Sequence, residues 1–278
     1  MNASNLSPAD LVRSAVANEV AAADDPSVKH IFRSRKQTPH GSQTRLYVET
    51  RDAMAGLTIA YNDQPLTPQQ VQGEDARLDG LLDNPQQLRR KRSQEKEDAD
   101  HTLRIVKALP DAFLYDYTAT EHGAPDLGKP GDRLVRLAFR PNPAYNPPSR
   151  VEQVLAGMHG YVLIDPEARR VAKIDGTLFK DVTFGWGILA HLDKGGHFVV
   201  EQSDLGDGSW DITRMILSFT GKVLLFKSIS VEADETFSNF RRVPPDITFA
   251  QAVQLLKMEQ AKLVQSGHAE TSGGKTPK

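Results

Sequence analysis

Cysteine is absent, and with it every disulfide, thiolate metal site and cysteine nucleophile. No apolar run approaches the about 20 residues that a membrane-spanning helix needs. Neither charge is in excess: 34 Lys and Arg stand against 36 Asp and Glu, a formal net charge of -2. A nucleic-acid binder ordinarily carries a basic surplus on one face, so that class of partner is set aside. Catalytic and cofactor signatures are missing too. Gly128-Lys129-Pro130-Gly131 and Gly221-Lys222 lack the rest of a phosphate loop, and there is no G-x-S-x-G elbow and no H-E-x-x-H pair. Asp204, Asp207 and Asp211 lack the twelfth-position Glu of a calcium loop and read better as a hairpin turn. No cofactor is expected and no enzyme class is indicated. The stretch Met1–Asp25 has neither the basic start nor the apolar middle of a secretory signal.

What is present is an ordinary folded composition, 39% hydrophobic and 25% charged over 278 residues, enough for one large domain. Ser7-Pro8-Ala9-Asp10 is a helix start, followed by the apolar stripe Leu11, Val12, Ala15, Val16 and Val20. Strand alternation follows at Val28–Arg33, Leu46–Arg51 and Leu57–Tyr61, with a turn at Thr38-Pro39-His40-Gly41. Thr67-Pro68-Gln69-Gln70 starts a second helical stretch to about Ala108, broken near Asn84-Pro85. Its middle, Arg89 to Asp100, is nearly all charged and cannot enter a core. It reads as an arm on the surface, either a solvated helical face or a docking site. Strands are expected at Phe113–Thr120 and Leu134–Arg140, then a stiff extended connector over Pro141–Pro148 and a short helix from Ser149 to Met158.

From Gly160 the pattern is strand and turn: Tyr161–Asp165, Arg170–Leu178, Val182–Leu192, His197–Gln202, Trp210–Phe219 and Val223–Val231, with a turn at Thr220-Gly221-Lys222. The short connections imply an antiparallel meander. Thr248 and Gln251 form a capping box for a last helix to about Gln265, and Ser266–Lys278 is expected to be a disordered tail. One domain over residues 1–265 with a charged arm at about 67–108 is the expected organisation.

Chemistry, if any, concentrates in the Val182–Leu192 strand. Val182, Phe184, Trp186 and Ile188 share one face, and Thr183, Gly185 and Gly187 the other. Bulk on one side and glycine on the other lets a strand bend sharply. The bulky face reads as an apolar concave pocket or as ordinary packing of a curved sheet against a helix. Val182, Phe184, Trp186 and Ile188 are thus the candidate ligand-binding residues, with no catalytic residue beside them. His191 and His197, across a Gly-Gly turn, could approach each other, but two histidines without a third ligand make no metal site.

Four stretches carry a resemblance: YNDQPLTPQQ at Tyr61–Gln70, RLAFRPNPAYNPPSR at Arg136–Arg150, GYVLIDPEARRVAKIDG at Gly160–Gly176 and DGSWDITRMILSFTGKVLLFKS at Asp207–Ser228. With them, Leu57–Arg242 resembles bacterial envelope proteins related to the outer-membrane lipoprotein carriers, the LolA/LolB-like superfamily. The resemblance implies an α+β fold, a strongly curved antiparallel sheet or half-barrel with helices on its concave side. It implies a periplasmic or envelope location, with a signal peptide expected to have been removed, and binding of a lipid or acyl chain without catalysis. The rival reading is a docking protein whose charged arm meets a protein partner; a hydrolase with an unrecognised site ranks third.

Overall fold

The computed structural model describes residues 6–184, 190–223 and 227–272. The fold is α+β, built on antiparallel strands that helices cover. The chain divides into two compact units. The first comprises Met1–Asp25, Gln37–Pro39 and Glu97–Phe237, the second Pro26–Lys36, His40–Lys96 and Ser238–Lys278.

In the first unit, helix α1 (Pro8–Ala23) starts where the sequence signals it: Ser7 Oγ accepts the Asp10 N–H at 3.2 Å and Pro8 opens the first turn. Its expected stripe is the buried one, Leu11, Val12, Ala15 and Val16. The strands of this unit begin with β5 (Phe113–His122), β6 (Arg133–Pro141), β7 (Met158–Asp165) and β8 (Arg170–Leu178). The second unit holds β1 (His30–Thr38, whose last two residues fall in the first unit), β2 (Gly41–Val48), β3 (Ala55–Tyr61) and β4 (Gln64–Pro65). The remaining strands are β9 (Val182–Phe184), β10 (Ala190–Leu192), β11 (His197–Asp204), β12 (Trp210–Val223) and β13 (Lys227–Arg242). In the first unit the sheet order is β5-β6-β7-β8-β11-β12-β13, and every pair is antiparallel. Register slips at Tyr117/Ala119, Leu163/Ile164 and Glu201/Gln202 add twist and bend the strands.

Helix α3 (Pro85–Ala112) ends in this unit, and Ala108, Leu109 and Ala112 join α1 against Phe113, Leu137, Phe139, Val162 and Ile164. Each such buried Leu, Val or Phe contributes about 1.5–3 kcal/mol. The buried Tyr115 hydroxyl donates to the Leu109 carbonyl at 2.8 Å, satisfying one of the acceptors a helix end leaves open. The protein's own helices therefore fill this face of the sheet.

In the second unit the order is β4-β3-β2-β1. Helix α2 (Pro68–Asp83) opens on the full capping box of Thr67 and Gln70. Helix α5 (Phe249–Ser272) buries Phe249, Ala252, Val253 and Leu256 with Leu57, Val48 and Leu78. Thr248 Oγ1 and Gln251 Oε1 exchange the expected reciprocal contacts with each other's backbone N–H groups. The charged stretch of α3 does not project: Glu95 Oε2 accepts the Met54 N–H at 3.0 Å, and Arg92 lies 3.8 Å from Asp52. One side of it rests on the β2–β3 loop, and Arg89 and Arg90 face solvent.

Four expectations change. Val182–Leu192 is not one strand but two, β9 and β10, paired with each other as a hairpin: Ala190 stands opposite Phe184 and Leu192 opposite Val182. Thr220-Gly221-Lys222 is not a turn, because β12 runs through it to Val223. Pro141–Pro148 is not extended throughout; Asn142 Oδ1 accepts the Ala144 N–H and the Asn142 carbonyl accepts the Tyr145 N–H, a tight turn. The last helix runs past Gln265 to Ser272, and residues 273–278 lie outside those described.

Candidate functional site

Val182, Thr183 and Phe184 favour a strand, but the Gly-Trp-Gly that follows does not sustain one. β10 pairs antiparallel with β9 and is held by a second partner, β12, with Ala190 opposite Val223, His191 opposite Lys222 and Leu192 opposite Gly221. Gly221 makes that pairing fit: a Cβ there would lie 2.1 Å from the His191 carbonyl oxygen. The apparent turn glycine is a glycine of close approach.

The register has a second consequence. Val223 is opposite both Ala190 and Lys227, so β12 ends beside the first residues of β10 and β13. The segment joining β9 to β10 reads Gly185-Trp186-Gly187-Ile188-Leu189 and that joining β12 to β13 Leu224-Leu225-Phe226. Both lie outside the described residues.

Of the four candidate ligand residues, Val182 is buried within the core of the first unit. The Phe184 backbone pairs with Ala190, and its side chain is outside what is described. Trp186 and Ile188 fall among residues 185–189, also outside. Of the four, Val182 is the one whose side chain is among those described.

Val182 also walls a cavity of about 490 Å³ that sequence reasoning missed. Its other lining residues come from helix α4 (Arg150–Gln153), the short 3₁₀ turn after it, the β8–β9 turn and β9 itself: Arg150, Gln153, Ala156, Gly157, Lys180, Asp181 and Thr183. Gly157 sits close to Val182, whose Cγ2 would be 2.5 Å from a Cβ placed there. Asp181 Oδ1 accepts the Lys194 N–H at 2.8 Å, and its other oxygen lies 3.8 Å from His191 Nε2. No spacing in the sequence pairs Arg150 with Lys180; only the fold brings them together.

The two histidines singled out in sequence have separate partners. His191 Nε2 is 3.1 Å from Asp193, and His197 Nε2 is 2.9 Å from Asp175. Among the described residues no group of three or more metal-ligating side chains forms. Polar pairs cross the strands of the first unit. Lys173 donates to Glu201 at 2.9 Å, Arg214 makes a two-pronged contact with Asp234, and the Arg136 guanidinium lies 3.7 Å over the Tyr161 ring. Burial pulls the Lys173 ammonium down, but Glu201 and Tyr161 outweigh it and hold it above its ordinary value. The hydrogen bond that Arg214 donates to Asp234 holds the guanidinium above its ordinary value.

No family model matches the chain, and no curated protein does. Among solved structures the chain is similar to the crystal structure of a candidate outer-membrane lipoprotein-sorting protein domain from Vibrio parahaemolyticus. The identity is 13%, 82% of this chain and 91% of that chain are covered, and the TM-score is 0.29. So loose a likeness carries no residue role from one protein to the other.

Proposed function

We propose that this chain is a non-enzymatic protein of the bacterial envelope that binds an apolar group, an acyl chain or its equivalent, through the segments that join β9 to β10 and β12 to β13. The observation that carries this reading is the register, which sets the end of β12 beside the start of β10 and the start of β13. The two joining segments hold six large apolar residues in sequence: Trp186, Ile188, Leu189, Leu224, Leu225 and Phe226. A contiguous apolar patch on a surface marks a contact for an apolar partner. The envelope location rests on the sequence resemblance. The helix-covered faces are poorer candidates, since α1, α3 and α5 already fill them.

Tryptophan fluorescence tests the reading, because Trp186 and Trp210 are the only tryptophans. In a Trp210→Phe variant with an unchanged circular dichroism spectrum, alkyl maltosides below their micelle concentrations should shift the Trp186 emission to the blue. Each methylene buried is worth about 0.8 kcal/mol, so affinity should rise about fourfold per added carbon from octyl to dodecyl. An emission spectrum that no alkyl chain moves overturns the proposal.

A further inference from the structure

The cavity between α4 and the β8–β9 turn holds an unusual set of side chains for its size. Arg150 and Lys180 both line it, both are exposed, and among the described residues neither has a carboxylate within ion-pair distance. Gln153 and Thr183 add an amide and a hydroxyl to the same wall. The one acid present, Asp181, already accepts the Lys194 N–H and faces His191. Two cations against one engaged carboxylate leave a positive balance. An exposed cation is usually spread in solvent or matched by a neighbouring acid; here two converge on a recess of about 490 Å³. Ala156, Gly157 and the buried Val182 add small and apolar groups to the lining. Exposed Phe179 stands next to it, with its ring 5.6 Å from Lys180 Nζ and 5.7 Å from the His159 ring.

Val182 is also the first residue of the β9–β10 hairpin. A recess with cationic and hydrogen-bonding walls thus opens beside the first residues of β9. We infer that this cavity receives an oxyanion, a phosphate ester or carboxylate, and that in the bound molecule it is the head group of an amphiphile whose chain follows β9. Arg150 would supply a planar fork of donors suited to two oxygens, and Lys180 a point charge. The inference rests on the apolar-ligand reading for the chain, but not for the anion site itself.

Isothermal titration with three probes separates the two ideas: monododecyl phosphate and dodecyl maltoside, both below their micelle concentrations, and inorganic phosphate. The expected result is that the phosphate amphiphile binds at least ten-fold tighter than the maltoside in low salt. The advantage should shrink as salt is added. Arg150→Gln with Lys180→Gln, both at exposed positions, should erase it while leaving maltoside affinity unchanged. Equal affinity for the two amphiphiles, or a double variant that keeps the preference, overturns the head-group site and leaves the apolar reading standing. Inorganic phosphate bound as tightly as dodecyl phosphate, with no maltoside binding, upholds the anion site and overturns the chain. Binding of none of the three overturns both.

Discussion

At the scale of single residues, the polar groups that matter most for stability are those that fasten helices to strands. Glu19, near the end of α1, grips Arg170 with both oxygens at 2.9 Å and also accepts the Val171 N–H. Both side chains are only 13% exposed, so their charges gain little from water. Glu19→Ala leaves the guanidinium and one backbone donor without a partner and should cost about 2–3 kcal/mol, read from chemical denaturation. Glu19→Ala combined with Arg170→Met should cost less than Glu19→Ala alone, because no half-buried charge is then orphaned. A double variant that loses more than the single one contradicts this account. Glu74 does similar work in the second unit. Burial raises its carboxyl, but bonds from Arg77 and from the Thr58 N–H outweigh burial and hold it below the ordinary carboxylate range. A lowered carboxyl stabilises the fold above its unfolded-state pKa, and that contribution is lost as pH falls through the folded value. Glu74→Gln should therefore lower stability at neutral pH by about 1–2 kcal/mol and flatten the acid limb of a stability-versus-pH curve. An acid limb unchanged in slope would show that Glu74 is not linked to folding.

At the scale of elements, the hairpin β9–β10 depends on one glycine in another strand. A methyl group at Gly221 would meet the His191 carbonyl, and the β10 backbone at His191 and Leu192 leaves it no room. Gly221→Ala should push β10 off β12 while the rest of β12, held by β11 and β13, stays paired. Amide exchange at Ala190–Leu192 should speed up at least ten-fold with little change at Ile212–Ser218; protection that stays equal in both segments removes Gly221 from this role. The same glycine shows why part of the fold was hidden in the sequence. Helix starts were legible because caps are local: Ser7, Thr67 and Thr248 each do what their spacing implies. Strands such as β3 and β8 were legible from their composition and partial alternation, although each buries neighbouring residues on both faces, Leu57 and Thr58 in one and Val171 and Ala172 in the other. Thr220-Gly221-Lys222 read as a turn because local chemistry cannot distinguish a turn glycine from one that admits a third strand. The far half of β13 was missed because it is mostly exposed and polar, with no apolar alternation to see. The candidate site was legible only as an apolar stretch. The pairing of β10 with β12 and the cavity beside Val182 each bring together residues about 30 positions apart in sequence.

At the scale of the whole molecule, the division into two units does not coincide with the elements. Pro85–Lys96 of α3 belong to the second unit and Glu97–Ala112 to the first; β13 is split likewise between Phe237 and Ser238. To unfold one unit alone, the chain would have to end a helix at Lys96–Glu97 and a strand at Phe237–Ser238. Neither point carries a break: there is no glycine or proline within either pair, and no capping residue is in place at Lys96. Ending a helix mid-length exposes four backbone carbonyls on one side and four N–H groups on the other, a cost that adds to lost packing. The expectation of one domain over residues 1–265 is therefore carried forward as a proposal about cooperativity. Calorimetry should show a single heat-absorption peak whose calorimetric and van't Hoff enthalpies agree. Placing Gly-Pro at 96–97 supplies the missing break and should split that peak or lower its van't Hoff enthalpy, even though both residues are exposed and neither is in either core. Two separate peaks in the unaltered protein would show that the units melt independently and that the shared helix and strand fray at their midpoints without holding the two together.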